Sequence, residues 1–360
     1  MSDLTSHQAQ SVGRPRVAVR RPVAVTGMSV LSALGRGPEA QLAAALTGAA
    51  AFTEVRRFDT AQRRVTKAAT ANSARSLEQE LLDAVTTACA DAGLTPGQRA
   101  TTPLLLAVHG RCEARALATR AARIYTSACV SASTAVADAT ALISRGAADR
   151  IIVAAGYLVE SDQFALFDAG RALADDGVVR PFSRDRRGLL LGDGVVAVVL
   201  QAGEGIAEVA GWGRAGDAYH PCRPDPAGRG LATAIESALD KAGLPPEVVG
   251  YINANATGTG FSDASEAAAI RRVFASDVPV SSTKAVHGHA LEASGLLELV
   301  LTVQALREGK LPVNAGFTTP DPDCPLDVIA DAPRPAGTAY GLTLNAAFGG
   351  ANTALLVRAG

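Results

Sequence analysis

Apolar side chains follow two different spacings along the chain, and the two alternate. The short runs PLLLAVHG (103–110), RIIVAAGYLV (150–159) and GVVAVVLQ (194–201) are almost entirely apolar, which is typical of strands buried on both faces of a sheet. Residues 76–93 instead repeat apolar side chains every three or four positions, as an amphipathic helix does. The pattern predicts an α/β protein of alternating strands and helices.

Local sequence signals indicate where two of these elements begin or end. Ser76 and Gln79 have the spacing of a capping box, and Gly93 is the expected C-cap of the same helix. The segment PVAVTGMSVLSALG (22–35) predicts a short apolar strand followed by a tight glycine turn. It is not a dinucleotide fingerprint, because Leu31 and Ala33 stand where further glycines are needed.

The second half of the chain repeats the first. DAVTTACADAGLTP (83–96) resembles TAIESALDKAGLPP (233–246), and each precedes a short apolar strand. The helical stretch 132–147 is followed by a strand, and the helical stretch 294–309 leads likewise into KLPVNAG. A repeat this long is not a small solenoid unit. We expect two similar α/β halves joined near residues 203–205.

Composition excludes several classes of function. The chain has 360 residues, 34 basic and 35 acidic side chains, so its charge gives no argument for nucleic acid or membrane binding. No apolar run reaches the roughly 20 residues of a membrane helix. The five widely spaced cysteines form no CxxC pair, which argues against a disulfide framework or a zinc site and favours a cytoplasmic location. Residues 1–21 are polar and are expected to be a disordered tail.

Three stretches carry candidate chemistry. Cys129 in YTSACVSASTA stands among small residues where a helix begins, and helix N-terminal amides lower a cysteine pKa; a buried structural cysteine is the alternative. STKAVHGH contains Lys284, His287 and His289, where a histidine is a partner for a thiolate or a donor to a thioester, a weak metal signal, or a surface helix cap. Phe348 precedes two glycines in a strand-like stretch, which suits a backbone close to a ligand or a plain bulge.

Together these motifs resemble the β-ketoacyl synthase family, the thiolase-fold condensing enzymes of fatty-acid and polyketide synthesis. SACVSAST is similar to the nucleophile motif of that family, STKAVHGH to the motif of its lysine and one histidine, and AFGGAN to its gating loop. RPFSRDRRGLLLGDG (180–194) resembles the segment before a central strand, with an acid at Asp193. The resemblance covers the chain from about Pro22.

The resemblance implies a fold, a division of the chain and a set of roles. The fold is two similar βαβαβαββ halves in a five-layer αβαβα sandwich. The halves are residues 22–204, with the nucleophile, and 205–360. The implied roles are an acyl-accepting thiol, a histidine and a lysine beside it, an oxyanion and gating loop, and supporting polar groups: Cys129; His289 and Lys284; Phe348, Gly349 and Gly350; Asp193, Thr257 and Thr259. No metal is implied.

Two features depart from the family pattern. In NANATGT (253–259), Asn255 stands where the family has its first catalytic histidine. The chain is also shorter than typical members before Cys129, in a region that in the family builds the dimer edge and part of the acyl tunnel. His109 and Arg111 fall in that region and match no motif.

Three functions follow from the resemblance. The preferred one is an enzyme that takes an acyl group from an acyl-carrier-protein thioester onto Cys129 and transfers it, with weak or no decarboxylative elongation. The second is a full decarboxylative synthase with a Cys-Asn-His set; the third is a non-elongating, chain-length-factor-like subunit that pairs with a complete synthase. No bound cofactor is expected apart from the phosphopantetheine arm of the acyl-carrier protein, and the chain is expected to form a homodimer or a heterodimer with a related ketosynthase.

Overall fold

The computed structural model describes residues 21–360, and strands of very different length run through this range. They are β1 (Val23–Ser32), β2 (Gly35–Arg36), β3 (Thr53–Glu54), β4 (Lys67–Ala68), β5 (Leu104–Ala107), β6 (Arg123–Tyr125), β7 (Arg150–Tyr157), β8 (Gly194–Ala202), β9 (Ala207–Gly216), β10 (Val249–Asn253), β11 (Pro279–Ser281), β12 (Lys310–Leu311), β13 (Asp327–Val328), β14 (Arg334–Pro335), β15 (Tyr340–Ala347) and β16 (Ala351–Ala359). The three dense apolar runs of the sequence are β5, β7 and β8, as predicted.

Helices connect most of these strands. They are α1 (Pro38–Thr47), α2 (Leu77–Asp91), α3 (Pro96–Thr101), α4 (Arg115–Arg120), α5 (Ser131–Ser144), α6 (Ser161–Ala169), α7 (Arg229–Ala242), α8 (Gly260–Val273), α9 (Lys284–His287) and α10 (Ser294–Arg307). Short 3₁₀ turns lie at Arg111–Ala114, Ala128–Val130, Pro246–Val248 and Leu291–Ala293. The repeated segments of the sequence form α2 and α7, and the two long helical stretches form α5 and α10.

The sheet repeats one strand order twice. Its first part runs β1-β8-β7-β5-β6 and its second part β9-β16-β15-β10-β11-β13. In both parts the first three strands are antiparallel neighbours, and the strands that follow are parallel. The parts join where β1 pairs with β9, giving 12 strands in the described sheet when β2 is included.

Helices occupy both faces of this folded sheet and the space between its two parts. Helix α2 packs outside the first part on β1, β7 and β8, and α7 packs outside the second part on β9 and β16 with α8 beside it. Helices α5 and α10 touch each other and both parts. Nearly every residue of α10 is buried for that reason. The predicted five-layer αβαβα sandwich is confirmed.

A glycine turn does follow the first strand, ending at Gly35 with a φ of 115°, but Gly27 is not part of it. Strand β1 runs straight through Gly27 to Ser32, and the register shifts there by one residue. A Cβ on Gly27 would lie 2.2 Å from the carbonyl oxygen of Ala88 in α2, so this glycine lets the helix approach the strand closely. Gly213 has the same role under α7, where a Cβ would lie 1.7 Å from the Ala234 oxygen.

The predicted boundaries of α2 are confirmed. Ser76 Oγ accepts the Gln79 N–H at 3.3 Å, and Gln79 Oε1 accepts the Ser76 N–H at 3.0 Å, which completes the capping box. The helix ends at Asp91, and Gly93 follows with a left-handed φ of 67°. Of the tail expected over residues 1–21, residues 1–20 lie outside the described range. Arg21 is bonded to Ser144 and Asp149.

Candidate active site

Cys129 lies in the Ala128–Val130 turn that leads into α5. Ala128 has a φ of 51°, in the left-handed region that residues other than glycine rarely adopt. Strain of this kind persists only where the surrounding structure holds it. The turn contacts β15 and α10, so the second half of the chain helps to set the position of a thiol that belongs to the first.

His289 makes the contact that defines the site. Its Nε2 lies 2.9 Å from the Sγ of Cys129, although 160 residues separate the two in sequence. Its Nδ1 lies 2.9 Å from the Oγ of Ser294, which also accepts the Ala290 N–H at 3.0 Å. In the tautomer whose Nδ1–H donates to Ser294, Nε2 is free to accept the thiol proton.

Burial keeps the resting pair uncharged. It raises the pKa of the Cys129 thiol to about 12, with a further increase from the charge of Glu292 and a smaller opposing effect of Lys284. Burial and Lys284 also lower the pKa of His289 well below its usual value. The lowered cysteine pKa predicted from the helix N-terminus is therefore wrong, because removal of the thiolate from water outweighs the nearby amides. The arrangement suits proton transfer at the moment of attack rather than a preformed thiolate.

Lys284 is buried beside this pair. Its Nζ lies 2.6 Å from Glu298 Oε1, and the other oxygen of Glu298 accepts a 2.6 Å hydrogen bond from Asn345 Nδ2. Both side chains of the ion pair are almost completely inaccessible to water. The charge of Lys284 acts on both Cys129 and His289, so the ion pair contributes to the electrostatic potential around the thiol.

Asn255 is buried in the loop that follows β10. Its N–H donates to Glu266 Oε1 at 2.7 Å, while its side-chain Oδ1 and the second oxygen of Glu266 have no partner among the described residues. Burial raises the pKa of Glu266 to about 8. The amide of Asn255 in the loop and the carboxyl group of Glu266 on α8 therefore both hold unused hydrogen-bonding capacity.

The remaining loop residues serve mainly to hold its backbone. The N–H groups of Thr257 and Thr259 point to Asp263 Oδ1 at 3.1 and 3.3 Å, and their hydroxyls lie 3.1 Å apart. Asp263 also accepts the Phe182 N–H at 2.9 Å. Burial raises the pKa of Asp263 to about 6. These contacts fix the loop that carries Asn255.

Phe348, Gly349 and Gly350 form the tip of the β15–β16 hairpin. Both glycines have positive φ, 85° and 75°, so the pair makes a turn between two strands rather than a bulge within one. The Phe348 ring is 59% exposed and lies 6.3 Å from the ring of Phe167 on α6. Strand β15, which leads into this tip, packs on the Cys129 turn.

Asp193, just before β8, has a structural role. Its oxygens accept two hydrogen bonds from Arg57 at 2.9 and 2.6 Å, and one each from the N–H groups of Ala71 and Val159 at 2.7 Å. Four donors leave it little capacity for a substrate. Its position ties three separate segments together at the start of β8.

Two of the alternatives raised by the sequence, a histidine as a surface helix cap and a metal site, do not fit the structure. His287 is fully buried, with Nδ1 2.7 Å from the Gly288 oxygen and Nε2 3.1 Å from Thr283 Oγ1, so it is not a surface cap, and neither is His289. Within residues 21–360 no cluster of three or more His, Cys, Asp or Glu side chains is arranged to hold a metal. The five cysteines are free, and no described helix is long and apolar enough to cross a membrane.

Several residues that shape the site were missed by the sequence analysis. Ser294 orients His289, Glu298 pairs with Lys284, and Glu292 acts on Cys129. The signal for Glu298 was present, since it is a single acid in the otherwise apolar run SGLLELVLTV. A lone charge in a buried helix needs a partner.

Two family models match the chain. The model described as Beta-ketoacyl synthase, N-terminal domain, matches residues 110–205, and the one described as Beta-ketoacyl synthase, C-terminal domain, matches residues 206–318. The matched regions adjoin and together cover more than half of the chain.

Curated relatives and a solved structure agree with this match. Nodulation protein E of Rhizobium meliloti is 40% identical over 243 residues, which are 64% of this chain and 60% of that protein. The 3-oxoacyl-(acyl-carrier-protein) synthase 2 of Staphylococcus aureus is 32% identical over 247 residues, 64% of this chain and 61% of that protein. The chain thus spans less than two thirds of either relative. A solved structure described as the ishigamide ketosynthase/chain length factor has a TM-score of 0.87 and 27% identity, covering 95% of this chain and 100% of that one.

Proposed function

The chain belongs to the β-ketoacyl synthase family, and on that premise we propose that it takes an acyl group from an acyl-carrier-protein thioester onto Cys129 and transfers it, with weak or no decarboxylative elongation. The observation that carries the proposal is the 2.9 Å contact between Cys129 Sγ and His289 Nε2. A subunit without transfer chemistry has no need of a strained turn that holds a thiol against an imidazole. The phosphopantetheine arm of the carrier protein belongs to the substrate.

The loading step uses both members of this pair. The Cys129 thiol proton moves to His289 Nε2 while sulfur attacks the thioester carbonyl carbon, forming a new C–S bond. Collapse of the tetrahedral intermediate breaks the bond to the pantetheine sulfur, and that sulfur takes the proton from His289. By family resemblance, the amides of Cys129 and Phe348 stabilise the oxyanion. No step requires an imidazole at position 255.

Elongation places a different demand on the site. Decarboxylation of a malonyl thioester releases CO₂ and leaves an enolate, whose oxygen needs hydrogen-bond donors. Loss of one such donor costs on the order of 3 kcal/mol in comparable sites. Asn255 still offers a neutral amide donor, so an asparagine at this position should slow elongation less than the loss of the donor altogether. The asparagine side chain cannot act as an acid or a base, and it carries no positive charge. We therefore expect loading to be faster than elongation.

Two other functions remain in contention. A full decarboxylative synthase is favoured by the retention of Lys284, His289 and Phe348 together with Cys129, with Asn255 as the second donor. A chain-length-factor-like partner is favoured by Asn255 itself and by the likeness to a structure described as a ketosynthase/chain length factor. Such partners usually lack the cysteine, which this chain keeps. In each case the partners expected are an acyl-carrier protein and a second subunit, identical or related, and the cytoplasmic location stays a prediction.

Intact-mass measurement tests the proposal. The purified chain is incubated with acyl-carrier protein bearing acyl groups of several lengths, beside a Cys129→Ala variant. A mass gain equal to the acyl group in the wild type alone supports loading. Absence of an adduct at every length contradicts the proposal and favours the partner-subunit alternative. Release of CO₂ from malonyl-carrier protein as fast as loading would favour the full synthase.

A further inference from the structure

Glu292 is a buried acid that the proposed reaction does not use. It lies in the Leu291–Ala293 turn, three residues after His289, and this turn packs on the Cys129 turn and on β7. Its side chain is only 4% exposed. One oxygen is 3.2 Å from His109 Nδ1, whereas the other is buried with no partner among the described residues. An acceptor in that state invites a donor from outside the chain.

A second unpartnered group lies near the first. The hydroxyl of Tyr157, at the end of β7, is buried and has no partner in the described part of the chain. Burial raises the pKa of this phenol, and the charges of Asp193, Glu292 and Glu160 raise it further. Strand β7 contacts the Glu292 turn, and that turn contacts the Cys129 turn, so both residues lie in elements that adjoin Cys129.

The charge around Glu292 is mainly negative. Glu113 lies close enough to be influenced by Glu160 and Glu292, and Asp162 influences both Glu160 and His109. The bases whose charges oppose these acids are Arg57 and His109. The hydrogen bond to Glu292 raises the pKa of His109, so that imidazole is a cation more readily than usual. Even with His109 protonated, the four carboxylates outnumber the two bases.

We propose that Glu292, with Tyr157, forms a specificity site for an acyl group that carries a hydrogen-bond donor, an ammonium or a hydroxyl, within a few carbons of its thioester. The proposal rests on acyl loading at Cys129. An unbranched alkyl chain leaves Glu292 Oε2 and the Tyr157 hydroxyl buried and unpaired, which is costly. A donor on the acyl chain satisfies the carboxylate, and the surrounding negative charge favours an ammonium over a hydroxyl.

Matched thioesters test this directly. Carrier protein is loaded with β-alanyl, 3-hydroxypropionyl or butyryl groups, which have the same number of heavy atoms, and with the 6-amino, 6-hydroxy and methyl-terminated analogues of a hexanoyl chain. Initial rates of acylation of Cys129 are read from the tryptic peptide 124–145, which contains no other cysteine. In the wild type we expect at least one donor-bearing group to load roughly tenfold or more faster than its alkyl analogue.

Variants of Glu292 separate charge from shape. Glu292→Gln keeps an acceptor without the charge, so the ammonium should lose its advantage over the hydroxyl. Glu292→Leu removes the acceptor, and the alkyl group should then load fastest. Glu236→Gln, a charge change on the exposed face of α7, serves as the control and should leave the order unchanged. Equal or faster loading of alkyl groups in the wild type, or a donor preference that survives in Glu292→Leu, overturns the inference.

Failure of loading is distinguished from failure of the pocket. If no thioester acylates Cys129, the proposed function is wrong, and the pocket is tested with aminoethyl, hydroxyethyl and propyl methanethiosulfonates. Rates at peptide 124–145 are normalised to those with glutathione. Faster modification by the aminoethyl reagent, lost in Glu292→Leu, supports the pocket in the absence of transfer chemistry. Equal normalised rates overturn it.

Discussion

The two halves of the sheet place different chemistry at corresponding positions. Strand β5 in the first half and β10 in the second are each flanked by two parallel neighbours. His109 and Asn255 lie two residues beyond the ends of these strands. His109 contacts Glu292 through its imidazole, whereas Asn255 bonds to Glu266 through its backbone N–H. The ionisable group is thus absent from the loop where the family resemblance expects it and present in the equivalent loop of the other half.

A second pair of positions is alike in backbone and different in chemistry. Helices α5 and α10 each follow a 3₁₀ turn whose first residue is a non-glycine residue with positive φ. These residues are Ala128 at 51° and Leu291 at 40°. The first turn carries Cys129, the proposed nucleophile, and the second carries Glu292, three residues after His289, the proposed base. The two halves thus contain the same strained backbone geometry, and the side chains on the two turns differ in chemistry.

The largest expected effect is loss of the base. His289→Ala should slow acyl loading by about 10²–10⁴-fold, because the thiol then has no group to take its proton. Single-turnover mass measurements give the rate. Ser294→Ala is the milder companion and should slow loading by about tenfold or less, since the imidazole stays but its tautomer is no longer fixed. Unchanged loading in His289→Ala would show that the contact is structural.

Breaking the buried ion pair should cost stability rather than chemistry alone. Glu298→Leu leaves Lys284 charged and unpaired in the core, which should lower the free energy of unfolding by about 3–5 kcal/mol. Urea denaturation measures the change. The double variant Lys284→Met/Glu298→Leu removes both charges and should recover most of that loss. A single variant as stable as the wild type would contradict the view that this pair is sealed from water.

The carboxyl group of Glu266, which accepts the Asn255 N–H, predicts a pH dependence of stability. The pKa of Glu266 is raised to about 8 in the folded chain, above the usual value of 4.5, so the folded state binds more protons than the unfolded state between these values. Stability should therefore fall as pH rises through this window, by roughly 3 kcal/mol or more between pH 5 and pH 9. Glu266→Gln keeps an acceptor for the Asn255 N–H and should remove that part of the slope in urea titrations. Parallel curves for the two proteins would refute the shift.

Restoring an imidazole in the second loop gives the smallest effect. Asn255→His should raise decarboxylation of malonyl-carrier protein by roughly tenfold or more, because a stronger donor then faces the enolate oxygen. Acyl loading should change by less than about threefold, since that half-reaction does not use position 255. Asn255→Gln, with an amide on a longer side chain, is the control for a change in size. No gain in CO₂ release would place the block to elongation elsewhere.

The sequence predicted what depends on local pattern. The duplicated segments became α2 and α7, the apolar runs became β5, β7 and β8, and the capping box of Ser76 formed as expected. It mispredicted what depends on distant contacts. Gly27 is required by an approaching helix rather than by a turn, and its own neighbours in sequence give no hint of that.

Electrostatic properties were the hardest to anticipate. A helix N-terminus predicts a lowered thiol pKa, yet full burial of Cys129 between two halves raises it to about 12. The partner of His109 lies in the turn before α10 and the partner of Lys284 lies in α10, 183 and 14 positions away by residue number (292 less 109, and 298 less 284). No spacing rule joins such pairs, because their members lie in different elements that only the tertiary fold brings together.

The 160-residue separation of Cys129 and His289 also bears on when the site is assembled during synthesis. The first half, nucleophile included, leaves the ribosome well before the base is made. Loops of this length close slowly, since their entropy is lost before the contacts they bring form. Until the second half packs against the first, the thiol lacks the imidazole of His289, so under the proposed function a nascent chain should not react with carrier-bound thioesters. On that proposal, acyl transfer becomes possible only after both halves have assembled.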